Sequence, residues 1–140
     1  MIRVVIADDH QLVRQGVRAL LNHAPGVNVI GEAADGEEAV KAVEQLRPDV
    51  LVVDISMPKM NGIQAAQHVH ESAMPTKTVV LSMYGDPDLV RRAFDAGARG
   101  YVMKHSTAGE LVQAVRAAAA GERYVSEALK RLEPYGRWGM

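Results

Sequence analysis

The sequence predicts an α/β domain built as a doubly wound, five-stranded parallel sheet with helices on both faces. Three observations predict it. Five short apolar runs alternate with five helical patterns, joined by short connections. The run Val50-Leu51-Val52-Val53 is continuously apolar, as expected of a strand covered on both sides. Four of the runs end on polar residues, at Asp8-Asp9, Asp54, Ser82 and Lys104. Ligands of such sheets bind outside the carboxyl ends of strands, near the point where strand order reverses. Crossovers are expected to be right-handed.

The first strand is read at Ile2 to Ala7. A helix follows from about His10 to Asn22, with Leu12, Val13, Gly16, Val17, Leu20 and Leu21 on one broad apolar face. Asn22-His23-Ala24-Pro25-Gly26 carries breaker residues, and Val27 to Ala33 is the second strand. Asp35-Gly36-Glu37-Glu38 has the form of a capping box and opens a helix that Arg47-Pro48 stops. Val50 to Asp54 is the third strand, and Gly62 leads into a third helix with Ile63, Ala66 and Val69 inward. Thr78 to Ser82 is the fourth strand. Asp86-Pro87 supplies an N-cap followed by proline at the first helical position, and Gly97 stops that fourth helix. Gly100 to Met103 is a short fifth strand. Thr107-x-x-Glu110 is a second capping box, starting a fifth helix that ends at Gly121.

Composition narrows the function classes. With 140 residues and 48% apolar content, the chain is long enough for one domain with a sizeable core. Sixteen basic residues against seventeen acidic give a formal net charge of -1, which argues against a non-specific polyanion binder. There is no cysteine, so disulfides and thiolate chemistry are excluded. No apolar stretch approaches the roughly 20 residues of a membrane helix. The first residues enter a strand pattern at once, so no signal peptide is read. The expectation is a cytoplasmic domain without membrane contact.

The polar strand ends define a chemistry. If Asp8, Asp9 and Asp54 converge with Lys104, the pocket carries a formal charge of about -2, which one divalent cation would cancel. Mg2+ favours one or two carboxylates with water and phosphate oxygens over a full protein cage. The expected ligands are Asp9 and Asp54 directly, Asp8 through water, and the backbone carbonyl of Ser56. Asp54 is then the nucleophile that takes a phosphoryl group as an aspartyl phosphate. Lys104 offsets charge on the transferred oxygens, and the Ser82 hydroxyl donates to one of them. Each residue also has a plainer reading. Asp8-Asp9 could cap a helix, Asp54 could belong to a turn, Ser82 and Lys104 could be ordinary strand-end polar groups, and Tyr101 a half-buried strand aromatic. Their joint placement at strand ends is what favours a site. The five histidines, His10 and His105 among them, lack metal-site spacing and are assigned no metal.

With these residues in place, the chain resembles the receiver domain of two-component response regulators. The resemblance rests on Asp8-Asp9, Asp54 with Met57-Pro58 and Gly62, Ser82, Ala96-Gly97-Ala98, and Tyr101-x-x-Lys104. It covers about residues 1–122, leaving 123–140 as the start of a linker helix and a tail. More narrowly, Ile6-Ala7-Asp8-Asp9-His10, Gly97-Ala98-Arg99-Gly100-Tyr101 and Ala119-Ala120-Gly121-Glu122 are similar to the NarL/LuxR subfamily. The stretch Tyr124-Val125-Ser126-Glu127-Ala128-Leu129 resembles the segment that leads to a DNA-binding domain in that subfamily. The resemblance implies a flavodoxin-like strand order, 2-1-3-4-5. It implies Mg2+ dependence, a sensor histidine kinase as phosphoryl donor, and acetyl phosphate as a small-molecule donor. It also implies a switch in which Ser82 moves toward the phosphoryl group and Tyr101 changes rotamer. The output implied is dimerisation, through helices one and five or through helix four, strand five and helix five, and control of DNA binding for transcription regulation.

The chain departs from the family pattern in places. His105 follows the site lysine where proline is common, so a trans bond is expected there. Met83 follows Ser82 where a small residue is common and is expected to restrict the pocket. Tyr84 and Ser56 occupy positions that tune dephosphorylation in the family. Residues 130–140 contain no helix-turn-helix, so DNA contact is expected only through a domain absent from this chain. Two alternatives stand beside the receiver. A stand-alone interaction module of the same fold would lack acidic or lysine residues, and none is missing. An aspartate-nucleophile phosphatase commonly uses Asp-x-Asp, and Asp54-Ile55-Ser56 lacks the second Asp. The expected role is therefore a switch that modifies itself and is not a turnover enzyme.

Overall fold

The computed structural model describes residues 1–106 and 108–130. Thr107, read above as a helix cap, and residues 131–140 of the tail lie outside the described residues. The strands are β1 (Ile2–Ala7), β2 (Val27–Ala33), β3 (Val50–Asp54), β4 (Lys77–Ser82), β5 (Gly100–Met103) and β6 (Tyr124–Val125). The helices are α1 (Gln11–His23), α2 (Gly36–Leu46), α3 (Gly62–Glu71), α4 (Pro87–Asp95), α5 (Ala108–Ala119) and α6 (Glu127–Lys130). Strand order is β2-β1-β3-β4-β5-β6 and every pairing is parallel. The expected order 2-1-3-4-5 holds, but the sheet has a sixth strand that the sequence pattern did not reveal. β6 is two residues long, too short to show the alternation by which a strand is recognised.

Side-chain alternation along the strands builds two cores. Val4, Ile6, Val50, Val52, Val79, Leu81 and Val102 face α1 and α5, where they meet Leu21, Leu111 and Val115. Val5, Leu51, Val53, Val80, Tyr101 and Met103 face α2, α3 and α4, where they meet Val43, Val69 and Phe94. β3 is buried along its whole length, as its uninterrupted apolar run requires. The face expected for α1 is only partly right. Leu21 is buried, but Leu12 is 83% exposed and Val13 is also exposed. The apolar stripe of α1 is wider than the surface the sheet offers it.

The helix starts follow their capping residues. The Asp35 carboxylate accepts from the Glu38 backbone N–H at 2.9 Å. Glu38 reaches back to the N–H of Ala34 rather than to that of the cap, so the expected box is displaced by one residue. Asn61 and Gln64 form a complete reciprocal box at the start of α3, which the sequence reading had not singled out. Asp86 caps α4 with Pro87 behind it, as expected. Among the described residues no peptide bond is cis, and no helix is long and apolar enough to cross a membrane.

Candidate functional site

The same alternation that builds the cores aims the polar residues. Continued past the strand ends, the α1/α5-facing series runs Val4, Ile6, Asp8 on β1, Val50, Val52, Asp54 on β3, and Gly100, Val102, Lys104 on β5. Backbone bonds hold these ends in register. The Asp8 N–H donates to Ala33 O, the Ile55 N–H to Leu81 O, and the Lys104 N–H to Ser82 O. The ends of β1, β3 and β5 thus deliver two acids and an amine to one place.

The Lys104 ammonium donates to Asp54 Oδ2 at 2.8 Å and lies 3.2 Å from Asp8 Oδ2. Asp54 is 2% exposed and Asp8 1%. Asp9 is more open, at the rim. One ligand atom from each of Asp8, Asp9, His10 and Asp54 falls within 4.8 Å of the others. The predicted carboxylates therefore come together. So does His10, which was assigned no metal because linear spacing gave no sign of it. Its Nδ1 lies 3.1 Å from Asp9 Oδ1 and 3.4 Å from Asp8 Oδ1. The signal was the turn itself: Asp8 Oδ1 accepts the His10 backbone N–H at 2.9 Å, folding the chain back over the acids.

Ser56 stands beside the site and donates its backbone N–H to Asp54 Oδ1 at 3.2 Å. Ser82, fully buried, is engaged elsewhere. Its Oγ accepts the Tyr84 backbone N–H at 2.9 Å. Tyr101 is also fully buried and donates its hydroxyl to Tyr84 O at 2.7 Å. Ser82 and Tyr101 are thus joined through the β4–α4 turn rather than to the acids. Met83, expected to restrict the pocket, is 58% exposed.

Burial pushes the Asp54 carboxyl above the usual carboxylate range. The Lys104 ammonium and the Ser56 N–H pull it down, and the neighbouring Asp8 charge adds to the rise. The Lys104 amine is held above its ordinary value. Burial alone would lower it, but its bonds to Asp54 and Asp8 outweigh burial. One ammonium does not satisfy this pocket, since the buried Asp8 Oδ2 has no hydrogen bond of proper geometry. Several hard oxygen donors, an unsatisfied buried oxygen and surplus negative charge fit a divalent cation. Asp8, Asp9 and Asp54 are the residues that could hold it, with the His10 imidazole as a nitrogen donor at the rim.

Comparison with known proteins agrees with this geometry. The family model for the response regulator receiver domain matches residues 4–116. The transcriptional regulatory protein LiaR of Bacillus subtilis (strain 168) is 43% identical over 122 residues, which is 87% of this chain and 58% of LiaR. The chain therefore spans little more than half the length of that relative. A LuxR-family two-component response regulator from Aurantimonas sp. SI85-9A1 superimposes with a TM-score of 0.89 at 37% identity, covering 94% of each chain. The isolated REC domain of RcsB from Salmonella enterica serovar Typhimurium, solved with the phosphomimetic BeF3-, gives a TM-score of 0.85 at 30% identity, covering 94% of this chain and 97% of that one. Agreement in sequence over most of the chain and in structure along nearly all of it places this protein in the response regulator receiver family, as a receiver domain of the two-component, NarL/LuxR type.

Proposed function

We propose that Asp54 accepts a phosphoryl group from a sensor histidine kinase, or from acetyl phosphate, in a Mg2+-dependent reaction, and that the modified chain acts as a cytoplasmic switch. One observation carries this reading. The buried Asp54 carboxylate is hydrogen-bonded by Lys104 at 2.8 Å beside two further acids that share a metal-binding distance with it.

A carboxylate oxygen of Asp54 forms the O–P bond as the donor's P–N or P–O bond breaks, and the bonding pair leaves with the donor. Lys104 turns from Asp54 Oδ2 to a transferred oxygen, and the Ser56 N–H remains beside the phosphorylated carboxyl. Ser82 gives up the Tyr84 N–H and donates its hydroxyl to a second phosphoryl oxygen, and Tyr101 changes rotamer as the turn moves. Asp9 and Asp54, with Asp8 through water and the Ser56 carbonyl, are the groups that would hold Mg2+, which when bound would supply positive charge to the phosphoryl oxygens. The chain consumes itself as substrate once per cycle, so it is a switch and not a turnover enzyme.

The unit that switches is residues 1–122, and the segment after it connects to a DNA-binding domain outside this chain. Homodimerisation through α1 and α5 is favoured over the α4–β5–α5 face. Leu12 stands in solvent, and Val13, Val17, Leu20 and Leu111 line a cavity of about 90 Å3 between the two helices.

Incubation with acetyl phosphate and Mg2+ is expected to add one phosphoryl mass by intact-protein mass spectrometry. The addition disappears in Asp54→Asn and on chelation of the metal. Labelling that persists in the Asn variant would overturn the assignment.

A further inference from the structure

The segment after α5 is not a free connector in this structure. Its backbone closes the outer edge of β5: the Tyr124 N–H donates to Arg99 O at 2.9 Å and the Ser126 N–H to Tyr101 O at 3.0 Å. Where the strand ladder ends, a side chain continues it. Ser126 Oγ, fully buried, accepts the Met103 N–H at 3.0 Å and lies 3.1 Å from Ser106 Oγ. The one turn of α6 then places Leu129, 3% exposed, against the β4–α4 turn. A β-carbon added at Gly85 would come within 2.4 Å of Leu129 Cδ2, and Met103 Sδ lies 3.5 Å from the same point. Gly85 is thus the floor of the seat that Leu129 occupies, and a side chain there would push the Leu129 methyl out of its present position.

That floor belongs to the switch. Gly85 follows Tyr84, whose N–H is held by Ser82 Oγ and whose carbonyl is held by the Tyr101 hydroxyl. Tyr101 also receives β6 directly, because its own carbonyl accepts the Ser126 N–H. Ser82, Tyr84, Gly85 and Tyr101 therefore fix one position of the turn, and Leu129 fits that position. The observations name a surface (the β5 edge, Met103 and Gly85) and its occupant, the chain's own Tyr124–Lys130.

We infer that Tyr124–Lys130 is a latch seated on the switch turn, so that seating the latch and phosphorylating Asp54 oppose one another. This rests on the phosphoacceptor reading above. When Ser82 turns toward a phosphoryl group it gives up the Tyr84 N–H, the turn leaves its position, and the Leu129 seat is lost. Release frees the segment that leads out of the receiver and uncovers the β5 edge, with its unpaired carbonyls, for another strand. Coupling between two sites is reciprocal, so weakening the latch must ease occupation of the phosphoryl site.

The test uses the 140-residue chain with BeF3- and Mg2+ as the probe. Hydrogen exchange at the Tyr124 and Ser126 amides is expected to quicken when BeF3- binds. Leu129→Ala is expected to bind BeF3- about 5-fold more tightly than the unaltered chain, at the lower end of usual coupling. Ser126→Ala, which loosens the latch without emptying the Leu129 seat, should shift affinity in the same direction by less. Binding with unchanged exchange, or with unchanged or weaker affinity in both variants, would overturn the coupling alone. Failure of the unaltered chain to bind BeF3- would overturn the phosphoacceptor reading and the coupling together.

Discussion

At the scale of single residues, Asp54 is held by opposing forces. Burial and the neighbouring Asp8 favour its neutral form, while Lys104 and the Ser56 N–H favour the charge. Because burial prevails, its folded pKa lies above the unfolded value. The stability that goes with this is present below the unfolded carboxylate pKa and is lost as pH rises through the raised folded pKa. At neutral pH the ionised carboxylate is therefore a cost to the metal-free fold. Asp54→Asn should stabilise the metal-free protein by about 1 kcal/mol, a rise in Tm of about 3 °C. The gain over the unaltered chain should shrink as pH is lowered, and thermal melts across pH, with and without Mg2+, check both points. An Asn variant no more stable at pH 7 than at pH 4, relative to the unaltered chain, would show that burial does not dominate. The meeting of Asp8, Asp54 and Lys104 was legible in the sequence, because each stands at the end of a strand run in one βα series. His10 was not legible, because its approach to the acids depends on the turn that Asp8 Oδ1 closes.

At the scale of elements, the phosphoacceptor loop is shaped by how closely α3 can begin behind it. A β-carbon on Gly62 would meet Asp54 O at 2.5 Å and Ile55 Cα at 2.9 Å, both of them backbone. Neither can move without shifting the strand end that carries Asp54. Gly62→Ala should therefore destabilise the fold by about 1–3 kcal/mol, as overpacking does. It should also slow labelling by acetyl phosphate. Denaturant melts and the rate of mass gain check the two effects, and a fully stable, normally labelled variant would contradict the account of the loop. The run Asp54 to Gly62 was legible as strand, loop and helix, but the need for glycine was not, since it arises from contact between the two ends of the loop. β6 was hidden for a related reason. Two residues carry no period, and Tyr124–Val125 becomes a strand only because β5 offers an open edge.

At the scale of the whole molecule, the two faces of the sheet do different work. Among the described residues α2, α3 and α4, with Leu129 of α6, cover one face and α1 and α5 the other, and the α1/α5 side leaves the apolar stripe of α1 open at Leu12 and Val13. Scattered exposed apolar residues are ordinary, but these lie beside the cavity between α1 and α5. Leu12→Glu with Val13→Lys should leave the monomer folded and abolish any phosphorylation-dependent dimer, as read by light scattering after gel filtration. A dimer that survives would move the interface to another face. The direct test of the central claim is to locate the acceptor chemically. After acetyl phosphate and Mg2+ treatment, borohydride reduces an acyl phosphate to the alcohol, and peptide mass spectrometry reads the position. Homoserine at position 54, absent when the metal is chelated, is the predicted result; reduction at any other carboxylate, or at none in a protein that has gained phosphoryl mass, would contradict it.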